Sequence, residues 1–279
     1  MTTFRAGNTD PIQPAFAPNL GFLKKLTGTW AGQGFNLVSL PDFQNGKPFQ
    51  VKTNATRELL QFSAINAPIP NRGNVQGDIE YLGLHYLQQI SDATTSGALH
   101  IEPGFWLNFP ATTNPPNPPG IVRQANIPHG DSLVAIGTGL AVQGGPIIQD
   151  ASTTPIGANG QPITDPKYLE PLTNATVPPG IPPICIHNPN VLLRNAIVGQ
   201  NIINTIVLQI STQNQGGIVN IPFIQVNANA TRMDATFWIE EVQLANGQVF
   251  LQLQYTQMVI LHFLNIDWPH ISVATLVKQ

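Results

Sequence analysis

The sequence predicts an all-β protein: an antiparallel up-and-down β-barrel of about ten strands, with a long Pro/Gly-rich insertion. Three observations carry this. Runs of β-branched and aromatic residues with period two dominate the chain. They recur roughly ten times, a number that suits a closed barrel or a large sandwich. Asn246-Gly247 lies between two such runs and has the chemistry of a tight hairpin turn.

Taken in order, strands are expected at GTWAGQGFNLVSL, FQVKTNATRELLQFSAI, GDIEYLGLHYLQQISD, GALHIEPGFWLNF and DSLVAIGTGLAV. A second set follows at NIINTIVLQIST, GIVNIPFIQVNA, ATRMDATFWIEEVQL, QVFLQLQYTQMVILHF and HISVATLVK. STQNQGGIV is a second hairpin candidate. Short helices fit only NLGFLKKL and PNVLLRNAI. The segment PATTNPPNPPGIVRQANIPHG is proline-dense and reads as an extended loop. Residues 144–189 hold little periodicity, and a loop of that length packs on the barrel or over one mouth. We therefore expect one β-barrel domain over 1–279, an N-terminal extension over 1–20, and irregular insertions over 110–129 and 144–199.

Only 10% of the 279 residues are charged, so Asn, Gln, Ser and Thr must cover much of the surface. The formal net charge of −3 offers no basic face for nucleic acid or anionic membrane. No apolar run is long enough to span a membrane as a helix, and the first residues lack the apolar stretch of a signal peptide. Cys185 is the one cysteine, which excludes an internal disulfide. A cytoplasmic protein is the expectation. Walker, Rossmann, nucleophile-elbow and HExxH motifs are absent from the sequence.

The candidate chemistry lies with the histidines. His100 and Glu102 are two apart and share a strand face if the strand runs straight. His129 and Asp131 bracket a glycine and can form a polar cluster or a plain turn. These four are the candidate catalytic residues. On the last strand His270, Ser272, Ala274 and Leu276 project one way, while Ile271, Val273, Thr275 and Val277 project the other. An imidazole beside small residues suits a flat, bulky ligand; on spacing alone, an edge histidine under a loop is the simpler reading. One face of the preceding strand carries Tyr255, Gln257, Val259, Leu261 and Phe263. The other carries Met258 and His262.

Three stretches taken in order add a resemblance. LTGTWAGQGF is similar to the opening Gly-x-Trp-x-Gly-x-Gly strand of calycin or lipocalin-like barrels, especially the nitrobindin-like heme-binding β-barrels. HIEPGFW is similar to that family's His-x-Glu-x-Gly-aromatic stretch. LQYTQM and WPHISVATL resemble its closing hairpin. The resemblance covers roughly half of the chain and implies a ten-stranded barrel that holds heme b, with His270 as the proximal iron ligand. It also implies a mostly apolar distal side, and action on nitric oxide, peroxynitrite or peroxide. Trp30, Phe105 and Met258 are the further candidate cofactor-binding residues. Phe35 and Trp106 are additional aromatic candidates, although aromatics at strand spacing are more often core. A backbone carbonyl or Asp267 is the expected partner of the second imidazole nitrogen of His270. The alternatives are a non-heme carrier of a small hydrophobic ligand, such as a fatty acid or pigment, and a metal or acid/base enzyme built on His100, Glu102, His129 and Asp131. The sequence leaves oligomeric state open.

Overall fold

The computed structural model describes residues 17–279. Ten long strands form one antiparallel sheet closed on itself. They are β1 (Gly28–Asp42), β2 (Lys47–Asn71), β3 (Ile79–Asp92), β4 (Ala98–Phe109), β5 (Gly120–Ile127), β6 (Asp131–Gln143), β7 (Asn201–Ser211), β8 (Asn229–Gln243), β9 (Val249–Phe263) and β10 (Ile266–Lys278). Each pairs with the next in sequence, and β10 returns to pair with β1 from Trp30↔Lys278 to Leu37↔Ile271.

The opening Gly-x-Gly motif has a physical role at this closure. A Cβ on Gly32 would stand 2.1 Å from the carbonyl oxygen of Thr275, and one on Gly34 would stand 2.2 Å from that of Val273. Only glycine admits so close an approach of one strand to the next. At the other hairpin singled out by sequence, β8 turns into β9 through Gly247 at φ 84°. The amide of Gly247 donates to the carbonyl of Leu244, and the Asn246 side chain accepts from Gln248 N at 3.0 Å.

Alternation divides the side chains between an inner and an outer core. The inner core includes Trp30, Leu60, Leu84, Trp106, Leu208, Phe237, Leu253 and Leu276. A 3₁₀ segment, Ala17–Leu26, bends at Gly21 (φ 52°) and presses Leu20, Leu23 and Leu26 into the same core. Each of these leucines is almost fully buried, and such burial stabilises by roughly 1.5–3 kcal/mol per side chain. The Trp30 indole N–H donates to the Leu26 carbonyl at 2.6 Å, fastening this seal to β1. One end of the barrel is thus filled with apolar side chains.

The outer core lies under the excursion between β6 and β7. Phe35, Leu37, Trp238, Ile271 and Val273 on the outer barrel face meet Ile148, Leu172, Cys185, Ile186 and Leu193. Two short helices build the lid of this core, α1 (Pro166–Thr173) and α2 (Asn190–Ala196). α1 starts at Asp165, whose side chain accepts from Lys167 N at 3.0 Å, with Pro166 following in a position that needs no donor. Gln254 donates to the Leu193 carbonyl at 3.0 Å, tying α2 to β9. The excursion therefore packs on the barrel wall.

Several sequence expectations change. Residues 110–129 are not irregular throughout, because β5 occupies Gly120–Ile127. GIVNIPFIQVNA is not one strand. Gly217–Asn220 pairs with β6, and Pro222 then opens a helix, α3 (Pro222–Asn227). STQNQGGIV is accordingly not a hairpin between neighbouring barrel strands. Most of the expected extension over 1–20 falls outside the described residues, but Leu20 belongs to the core. Among the described residues, no helix is long and apolar enough to cross a membrane.

Candidate functional site

The inner wall becomes polar away from the sealed end. Glu58 on β2, Tyr86 and Gln88 on β3, Glu102 on β4, Arg123 on β5, and Tyr255 and Gln257 on β9 form this layer. Each occupies an inward position of an otherwise apolar stripe, as in Glu58-Leu60-Phe62 and Ile121-Arg123-Ala125. A charge at such a position is a signal visible in sequence, once strand parity is read.

Two hydrogen-bonded groups share the layer. In the first, Arg123 Nη2 donates to Glu102 Oε1 at 2.5 Å, Arg123 Nε to the Tyr86 hydroxyl at 3.0 Å, and Arg123 Nη1 to Gln257 Oε1 at 2.6 Å. The Tyr86 hydroxyl donates to Glu102 in turn. The guanidinium also lies over the rings of Tyr86, Trp106 and Phe237, 5.5–5.8 Å from their centroids. Burial pushes the Glu102 carboxyl up, but the Arg123 charge and the hydrogen bonds from His100 and Tyr86 outweigh it and bring the pKa to about 2. In the second group, the Tyr255 hydroxyl donates to Glu58 at 2.7 Å and Gln88 Nε2 donates to Glu58 at 3.2 Å. Here burial prevails over the neutral donors and raises Glu58 to about 7.

The open end carries three histidines. His100 Nε2 faces Glu102 Oε2 at 3.2 Å, and the His100 ring stacks on His129 with centroids 5.9 Å apart. His270 Nε2 faces Asn36 Oδ1 at 2.7 Å, and Ser272 Oγ donates to the same oxygen at 3.0 Å. Both partner atoms are oxygen acceptors, so Nε2 carries the proton in each imidazole and Nδ1 keeps the lone pair. Burial, reinforced by His100 and His129, lowers His270 to about 4. It is a neutral donor at ordinary pH. A hollow of about 1000 Å³ lies against the β1–β4 wall, lined by Gly32, Glu58, Ile90, His100 and His129 among others. His270 stands on β10, the strand beyond β1, with its ring on the inner face and partly open. A groove of about 540 Å³ on the excursion, between Val177 and Ile184, brings only His187 as a titratable lining group.

The structure thus brings His100, Glu102, His129 and His270 to one region. Asp131 begins β6 close by, with its Oδ1 buried and without a hydrogen-bond partner. Burial raises its pKa against the opposing influence of His129. The other expected pocket residues lie elsewhere. Phe105 points out of the barrel and is 41% exposed, because it alternates with inward Gly104 and Trp106. Met258 packs on the outer core for the same reason of parity. Trp30 is in the sealed end, Phe35 in the outer core and Trp106 in the inner core. Asp267 does not serve His270; it bonds His262 Nδ1 at 2.7 Å, and Asn36 takes the place proposed for it. The last strand begins at Ile266 rather than at His270, and Pro269 lies beyond the stretch of β10 that pairs with β1. Among the described residues, no three His, Cys, Asp or Glu side chains gather closely enough to hold a metal ion.

No protein-family model and no curated protein matches this chain. Among solved structures, it aligns with the crystal structure of Rv2717c from M. tuberculosis, at 16% identity and a TM-score of 0.48, over 96% of this chain and 99% of that one.

Proposed function

We propose that this barrel is a ligand-binding protein whose open end takes heme b, with His270 as the iron ligand, and that it acts on or senses nitric oxide, peroxynitrite or peroxide. One observation carries the reading: an inward-facing imidazole, neutral at ordinary pH, whose Nε2–H is anchored by Asn36 so that Nδ1 is left as a donor. This is the chemistry of a metal-ligating histidine with an oriented outer partner. The neighbouring Ser272 and Ala274 are small. The imidazole suits an iron ligand, while the hollow against the β1–β4 wall is lined by Glu58, His100 and His129 among others and not by His270, and the lining expected from Phe105 and Met258 is not there.

When bound, heme b supplies an iron centre with one position left open to a small ligand. The chain's own contribution is to hold and to exclude. Asn36 fixes the tautomer of His270 and Ser272 fixes Asn36. The sealed end closes the floor to water, so a ligand enters past the histidines.

The test is an absorption spectrum of freshly purified protein before and after adding hemin. A Soret band that His270→Ala removes or shifts supports the assignment. A band unchanged in His270→Ala overturns His270 as the ligand. The absence of any band overturns heme and leaves the hollow to a different occupant, for which a co-purifying apolar molecule is the outcome to examine by mass spectrometry.

A further inference from the structure

Glu58 and Glu102 enter the same polar layer with unlike company. Glu102 is already matched by the Arg123 guanidinium. Glu58 is buried, and its hydrogen-bond donors, Tyr255 and Gln88 first among them, are neutral. A buried carboxylate without a bonded cation is poorly compensated, and burial raises its pKa to about 7. The other charged and titratable groups nearby do not fill the gap. Arg57, next to it on β2, alternates to the outer face and is exposed. Tyr255 is an acid that burial keeps protonated. His100 favours the carboxylate only through the charge of its imidazolium, and its ring is stacked on His129.

Glu58 lines the hollow of about 1000 Å³ against the β1–β4 wall. Hollows of roughly 300–1000 Å³ suit a small organic molecule. Among the described residues, neither His270 nor a Phe, Tyr or Trp side chain lines it, so the lining does not fit heme. It offers two other kinds of surface. Leu59, Ile90, Leu99 and Pro128 supply apolar area. His100 and His129 present imidazoles, and the Nε2 of His100 is committed to Glu102, which leaves Nδ1 with its lone pair. Gly32 pairs with Glu58 across β1 and β2, so no side chain from that position covers the carboxyl. The site is thus an acceptor pair beside an apolar wall.

We infer that this hollow binds a small organic amine as its ammonium ion, with the charge paired to Glu58, an N–H donated to His100 Nδ1 and the apolar body against Ile90 and Leu99. The ammonium does for Glu58 what Arg123 does for Glu102. No bond is made or broken in the amine; Glu58 releases its proton to solvent as the cation arrives. The binding needs no iron, so the inference stands apart from the heme reading.

The experiment uses the full chain, purified without added hemin, and isothermal titration calorimetry with three matched probes: phenethylammonium, phenethyl alcohol and phenylacetate. At pH 8 phenethylammonium should bind roughly 10- to 100-fold more tightly than the alcohol, the range of one charge-assisted hydrogen bond, and phenylacetate should bind least. Its affinity should rise on the order of 10-fold from pH 6 to pH 8 as Glu58 ionises, while that of the alcohol stays level. Glu58→Gln should bring phenethylammonium down to the affinity of the alcohol and remove most of the pH dependence, with a far-UV circular dichroism spectrum like that of wild type showing that the variant is folded. Equal affinities for the ammonium and the alcohol in wild type, tighter binding of phenylacetate, or no binding of the ammonium overturns the inference. A preference for the ammonium that survives Glu58→Gln overturns it as well, and needs no judgement about folding. A hemin Soret band without amine binding overturns this inference alone, and amine binding without a Soret band overturns the heme reading alone.

Discussion

Glu58 and Glu102 sit in the same layer of the same barrel, both almost fully buried, and they end in opposite states. Glu102 has a cation 2.5 Å away and stays ionised far into the acid range. Glu58 has a phenol and an amide, and its proton is released only near pH 7. Burial opposes the charge in both cases, so the difference lies in the partners. Neutral donors soften the desolvation of a carboxylate but do not cancel it, whereas a bonded guanidinium does. This inner layer therefore holds one fixed ion pair and one proton that can leave.

The largest expected effect comes from breaking the fixed pair. Arg123→Met leaves the carboxyl of Glu102 buried without its cation, in the situation of Glu58 with weaker compensation. Removing one partner of a buried pair costs about 3–5 kcal/mol. Urea unfolding at pH 7 should show a loss of that size. The Arg123→Met/Glu102→Gln double variant should recover part of it, since no unpaired charge remains. A loss under about 1 kcal/mol in the single variant would mean that the pair contributes little and that the contrast with Glu58 is not about charge.

The mobile proton gives a smaller effect with a definite sign. The folded-state pKa of Glu58 lies above the unfolded value, so the folded protein binds more protons between about pH 4.5 and 7. Its stabilising contribution is complete below the unfolded pKa and is lost as pH rises through about 7. A shift from 4.5 to about 7 corresponds to roughly 3.4 kcal/mol in all, of which about 2–3 kcal/mol is lost between pH 5 and pH 8. Glu58→Gln cannot lose this proton. The stability of Glu58→Gln relative to wild type should therefore rise by that amount between pH 5 and pH 8. Glu240, raised to about 7 by burial, acts in the same sense, and His270, lowered to about 4, acts in the opposite one. Both are present in the two proteins and drop out of the difference. A flat difference across this range would place Glu58 among the ordinary carboxylates.

How much of this was legible in the sequence follows from what strand parity does and does not encode. Parity put His270, Ser272, Ala274 and Leu276 on one face, and that face is the interior. The same parity assigns Phe105 and Met258 outward once Gly104, Trp106 and Tyr255 are known to be inward, but nothing local says which face is inward. Partnership across the barrel is less accessible still. Asn36 is 234 residues from His270, so proximity in sequence pointed to Asp267 instead. β5 is hidden in the sequence because GIVRQANI is short and follows a proline-dense segment whose loop character masks its alternation. GIVNIPFIQVNA showed the reverse error. Its alternation is good, but Pro222 lacks the donor a strand interior needs and is pre-organised for the first turn of a helix. The excursion was legible as a break in periodicity; its apolar underside was not, because Leu172, Cys185, Ile186 and Leu193 carry no regular spacing.

The smallest effect sharpens the comparison most directly, because it touches only a neutral partner. Tyr255→Phe deletes the hydroxyl that donates to Glu58 and leaves the ring stacked on Phe237, whose centroid is 5.2 Å away. The lost bond counts about 1 kcal/mol when Glu58 is protonated and about 2 kcal/mol when it is ionised. Because the hydroxyl favours the ionised form, removing it drives the Glu58 pKa further up. The destabilisation of Tyr255→Phe should consequently grow from pH 6 to pH 8, while in a Glu58→Gln background it should stay constant. If the cost of Tyr255→Phe were instead the same at both pH values with Glu58 present, the phenol would be bonding a carboxyl that does not change its charge, and the distinction between the two carboxylates would reduce to geometry.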